Sequence, residues 1–80
     1  MENIRTTTKP WRDCAPDGRL LRLPEILERT GLSRSQIYEM IAAGDFPPLI
    51  KLGRRAAALP EAWLNCFVEE KARRALERTN

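Results

Sequence analysis

Gly31-Leu32-Ser33-Arg34-Ser35-Gln36-Ile37-Tyr38 is the stretch whose reading decides the fold. Glycine is the residue that ends a helix most cheaply, because it alone adopts a left-handed backbone without strain. Ser33 and Gln36 then have the S-x-x-Q spacing of a capping box, so a second helix starts at Arg34. Ile37, Met40 and Ile41 follow at i, i+3 and i+4, one apolar stripe of that helix. Gly44 is placed to stop it as Gly31 stops its predecessor. Upstream, Pro24 suits a first helical position, and a helix to about Thr30 turns Ile26 and Leu27 toward the core. Two short helices joined by Gly31, Leu32 and Ser33 make the tight glycine-containing turn of a helix-turn-helix.

Outward from this pair, Leu20-Leu21-Arg22-Leu23 reads as an edge strand. Asp45-Phe46-Pro47-Pro48 is a rigid exit that cannot stay helical. Leu49 to Leu52 reads as a strand, Gly53-Arg54 as a turn, and Arg55 to Leu59 as the returning strand, whose alanines have weak β propensity. Pro60 can open a last helix, and Glu61 suits its positive end. Leu64, Phe67, Val68, Ala72, Ala75 and Leu76 form its apolar stripe, with Glu69–Arg73 and Glu70–Arg74 as i,i+4 pairs to about Glu77. The reading is mainly α with a small β-hairpin: a winged helix-turn-helix of short strand, helix, turn, helix, two-stranded wing and C-terminal helix. It occupies residues 19–77, after a disordered or loosely held arm over 1–18 and before a frayed 78–80. On this reading, removing residues 1–15 leaves the fold intact.

Eighty residues hold one domain. No apolar run is long enough for a membrane span or a signal peptide, so a cytoplasmic location is expected. Histidine is absent, and with it the commonest general base and metal ligand. Cys14 and Cys66 belong to no CxxC pair and are expected as two reduced thiols, with no metal site and no cofactor. Glu25 and Glu28 are solvated acids on a small body with little room for a cleft, which argues against an enzyme.

The formal net charge is +3, and its distribution is uneven. Residues 1–18, 19–48 and 61–80 are each balanced, so the whole excess lies in residues 49–60 as Lys51, Arg54 and Arg55. A basic cluster on a short hairpin is a candidate contact for phosphates of double-stranded DNA. A helix-turn-helix reads bases through the start of its second helix. Here that face is Ser33, Arg34, Ser35, Gln36, Tyr38 and Glu39. Arginine can bond guanine bidentately, glutamine can do the same with adenine, and Tyr38 can reach a phosphate or a thymine methyl.

The run from Leu20 to Tyr38, followed by Phe46-Pro47, Ile50-Lys51-Leu52-Gly53 and Arg55-Ala56, resembles the AlpA-type prophage regulators. That family is similar to excisionases and to the winged DNA-binding part of MerR-like proteins. The likeness covers roughly residues 19–71 and implies a DNA binder of phage or mobile-element origin in a bacterial host. Such a protein acts as a transcriptional regulator or as an excisionase, a recombination directionality factor. Ser33, Arg34, Ser35, Gln36 and Tyr38 would form its major-groove face, and Lys51, Arg54 and Arg55 its wing. The family usually has tryptophan where Leu59 stands, and this chain carries Trp63 at a position normally polar.

Trp63 therefore reads either as core, the favoured placement, or as an exposed anchor for a partner. Trp11 in the arm reads as free or docked on the domain or a partner. The rival function is a protein-interaction module on the same fold, binding an integrase or another phage protein with DNA secondary. A phage packaging subunit would normally append an oligomerisation region. A single module of this size covers little DNA, so the expectation is a free monomer that binds further copies of itself on adjacent sites.

Overall fold

The three glycine and proline punctuation points do what their local chemistry requires. In the computed structural model, which describes residues 9–78, helix α1 (Leu23–Thr30) ends at Gly31 and helix α2 (Arg34–Ala43) ends at Gly44. Both glycines are left-handed, at φ 75° and 81°, and both donate their N–H back to the helix they close. Helix α1 starts one residue earlier than expected, with Leu23 ahead of Pro24. Helix α3 (Glu61–Arg78) follows Pro60 directly.

The strands are β1 (Leu20–Leu21), β2 (Ile50–Lys51) and β3 (Ala57–Pro60), arranged β1-β3-β2 and antiparallel throughout. The expected two-stranded wing is β2 and β3, and the short strand β1 joins it on the other side of β3. Leu20 lies opposite Pro60 and Leu21 opposite Leu59, while Ile50 and Lys51 face Ala58 and Ala57. Strand β3 is thus the middle strand, and its alanines have a reason. Ala58 and Leu59 are wholly buried, and α1 and α3 both pack against this strand. Small side chains let three elements approach one backbone.

The core is Trp11, Leu21, Ile26, Ile37, Phe46, Leu59, Leu64 and Phe67. Phe46 meets Phe67 edge-on with ring centroids 4.7 Å apart, and Trp11 meets Phe67 at 6.1 Å. The arm reading is corrected here for the part that is described; residues 1–8 lie outside the described residues. Pro10–Asp13 form a 3-10 helical turn that buries Trp11 against α3. Removing residues 1–15, expected to leave the fold intact, would take this core ring with it.

The expectation of two reduced thiols is corrected as well. Cys14 and Cys66 form a disulfide, because the Trp11 turn brings Cys14 against α3. The Trp63 indole Nε1 donates to the Cys14 carbonyl at 3.0 Å and holds the same junction. On α3 only Leu64 and Phe67 of the expected stripe are buried; Val68, Ala72, Ala75 and Leu76 are exposed, since the helix runs past the body that covers its first turns. Arg73 bonds Glu70, not the expected Glu69, and Arg74 bonds Glu70 at 2.9 Å.

The start of α3 is tied down from two sides. The Asp17 and Arg19 carbonyls accept from the Ala62 and Glu61 amides, at 3.1 and 2.8 Å. Gly18 between them has φ 85°, and a Cβ there would come within 3.1 Å of the Glu61 side chain. Glu61 itself accepts from Arg29 of α1 at 3.0 Å and from the Arg19 amide. The Arg29 guanidinium first, then that amide, hold the Glu61 carboxyl below the usual glutamate range.

Two outcomes are expected. Reduction, or replacement of both cysteines by serine, should lower unfolding stability by about 2–4 kcal/mol in urea titrations, with the native far-UV spectrum kept. A depressed carboxylate stabilises above its unfolded-state pKa, about 4.3, and that stabilisation is lost as pH falls through the lower folded value. Glu61→Gln should therefore flatten the acid limb of stability against pH below about 4.3, measured by thermal melts.

Candidate nucleic-acid interface

Helix α2 turns Ile37 fully inward and leaves Arg34, Ser35, Gln36, Tyr38 and Glu39 exposed, with Ser33 exposed at its cap. The residues that sequence reading selected are thus all accessible. Its start is a closed capping box. Ser33 Oγ accepts from the Gln36 amide at 3.1 Å, and Gln36 Oε1 accepts from the Ser33 amide at 2.9 Å. The bidentate adenine contact expected of Gln36 needs both ends of its carboxamide. The cap already holds the oxygen, so Gln36 first serves to shape the helix start.

The wing carries its cations on and around its turn. Leu52 and Gly53 donate to the Ala56 carbonyl, at 2.7 and 3.2 Å, and this closes a turn that contains Arg54 and Arg55. Arg55 was expected in the returning strand; β3 begins only at Ala57. Lys51, Arg54 and Arg55 are all exposed. Leu52, beside them, is 49% exposed.

Ion pairing divides the basic residues. Lys9, Arg19, Arg29, Arg73 and Arg74 have carboxylate partners in Asp45, Glu25, Glu61 and Glu70. Among the described residues, Arg34, Lys51, Arg54 and Arg55 have none, and neither do Arg12, Arg22, Arg78 and Lys71, whose Nζ lies over the Phe67 ring. Arg22 escaped the sequence reading. Its signal was available: a cation stands at the N-cap of α1, where serine, threonine or aspartate is favoured. Arg22, Tyr38 and Arg55 line one recess between α1, α2 and the wing.

The tryptophans face inward. Trp63 is half-buried and packs on the core, as favoured, while Trp11 is 6% exposed. A partner-binding Trp11 is corrected by that burial, and the Trp63 Nε1 is committed to Cys14. No group of metal-ligating side chains exists among the described residues. No helix among them is long and apolar enough to cross a membrane.

Two helices across a capped turn, followed by a hairpin on a three-stranded sheet, define a winged helix-turn-helix. The chain belongs to the AlpA family: the profile of the prophage CP4-57 regulatory protein (AlpA) matches residues 19–71. An uncharacterised protein of Enterobacteria phage P4, ORF88, is 49% identical over 50 residues, which is 62% of this chain and 52% of that protein. The chain thus spans about half the length of that relative. No solved structure matches it.

Because the Ser33 hydroxyl satisfies an otherwise open α2 amide, Ser33→Ala should cost about 1 kcal/mol of stability. Thermal or urea unfolding reads that loss directly.

Proposed function

We propose that this chain is a non-enzymatic, sequence-specific double-stranded DNA-binding protein that regulates prophage or mobile-element genes. Helix α2 enters the major groove, with Arg34 and Ser35 nearest the bases, Tyr38 reaching the backbone and Glu39 one turn on; Gln36 contributes the free amine end of its carboxamide. Lys51, Arg54 and Arg55 lie along the backbone of the same duplex. The observation that carries this reading is the sorting of charge. Arg19 and Arg29 are held in ion pairs with Glu25 and Glu61, whereas the exposed α2 start and wing carry Arg34, Lys51, Arg54 and Arg55 with no carboxylate partner among the described residues. Cations left without internal partners are what counterion release from DNA requires.

The same reader would serve transcriptional control or excision. The family's description as regulatory supports the first, and contact with an integrase would belong to the second. Binding to a chromosome places the protein in the cytoplasm. There the Cys14–Cys66 disulfide would be exposed to reductants, and the Trp11 packing and the Trp63 hydrogen bond hold the N-terminal turn alongside it. With both tryptophans turned inward and Glu70 satisfied within its own helix, the free protein is read as a monomer that adds copies along adjacent sites.

Alanine at Lys51, Arg54 and Arg55 together should weaken binding to all duplexes alike. It should also flatten the slope of log affinity against log salt by roughly one unit for each phosphate lost. Arg34→Ala should cost about 1–3 kcal/mol on the preferred site and less on random DNA. Titration of selected and random duplexes at several salt concentrations measures both. Salt-independent association with protein partners and no duplex binding would instead favour the protein-interaction reading.

A further inference from the structure

We infer that the recess between α1, α2 and the wing seats one backbone phosphate, gripped by Arg22, Tyr38 and Arg55. This rests on the DNA reading above and adds Arg22, which that reading does not use, to Tyr38 of the reading helix and Arg55 of the wing. The recess has a volume of about 330 Å³ and is open to solvent. Leu23, Leu49 and Ala57 line it together with the two arginines and the tyrosine. Both arginines are exposed and without a carboxylate partner among the described residues, and Tyr38, 48% exposed, brings a hydroxyl donor to the same lining.

Arg22 is the informative member. It is the N-cap of α1, has extended backbone (φ −86°, ψ 163°) and makes no side-chain cap. A cation there sits at the positive end of the helix dipole, the wrong sign for stability. The acid of the first turn does not compensate it, because Glu25 is held by Arg19 at 3.0 Å. An anion in the recess removes that conflict, neutralising Arg22 and meeting the α1 dipole together. Since Arg22, Tyr38 and Arg55 come from three elements, one phosphate would also fix the wing against the reading helix. Contacts to phosphates set register in this way.

The test scans a duplex carrying a single neutral methylphosphonate along the binding site. The wild type should lose about tenfold in affinity at one position, as expected for removing a charge-assisted contact. Arg22→Ala and Arg55→Ala should each weaken binding to the unmodified duplex by a similar factor and become insensitive at that same position. Arg78→Ala, an equal change of charge at the end of α3, should keep the full sensitivity there. Thermal melts in inorganic phosphate give a reading that needs no DNA: phosphate should raise the melting temperature of the wild type and leave that of Arg22→Ala unchanged. Duplex binding with no position whose sensitivity Arg22→Ala removes would overturn the recess. A phosphate-dependent shift without duplex binding would uphold the anion site and overturn the DNA reading. Absence of both would overturn both.

Discussion

The edge-on contact of Phe46 with Phe67 is the junction on which the other elements depend. Phe46 is the second residue after Gly44, so it fixes where the chain leaves the reading helix. Buried Pro47 and the following Pro48 then stiffen the path to β2. Phe67 lies on the buried side of α3 and receives Trp11 as well, with Lys71 Nζ 5.4 Å from its ring centroid. One ring thereby joins the helix pair, the root of the wing, the last helix and the N-terminal turn. Aromatic pairs contribute about 0.5–1.5 kcal/mol beyond their buried area, and a core of this size has few alternatives to replace them.

Strand β3 is the second organising element, and it works by being small. Ala57 and Ala58 would be poor choices in an isolated hairpin. Flanked by β1 and β2 and covered by α1 and α3, they are what permits close packing. The wing is therefore continuous with the core sheet, and cations on its turn are carried on a braced hairpin.

Features with local causes were legible in the sequence. Gly31, the Ser33–Gln36 box, Gly44 and the helix after Pro60 each depend on a few adjacent residues, and each formed where read. The exposed α2 face and the exposed wing cations followed from the same periodicity. What escaped reading depends on distant partners. The sequence separation of Cys14 and Cys66 is 52, and they are brought together by the burial of Trp11 against Phe67 and the Trp63 hydrogen bond to Cys14. The pairing of β1 with β3 spans a similar interval and leaves no local mark on Leu20-Leu21. Gln36 shows a different limit: its spacing announced a cap and its chemistry a base contact, and the cap already orients the carboxamide toward the Ser33 amide. Arg22 was hidden because its charge balanced in a sum over residues 19–48, whereas pairing is decided atom by atom.

The disulfide has a topological consequence. In the oxidised chain, the covalent ring closed by Cys14 and Cys66 encloses both helices of the reading pair, all three strands and the start of α3. The wing turn, with adjacent Arg54 and Arg55, is an exposed point of that ring and an obvious one for a trypsin-like protease. A single cut there opens the ring without dividing the molecule. The two pieces stay joined at Cys14–Cys66 and remain held by Trp11 and Phe46 against Phe67. A nicked chain would keep its mass, apart from one added water, until a reductant separates it.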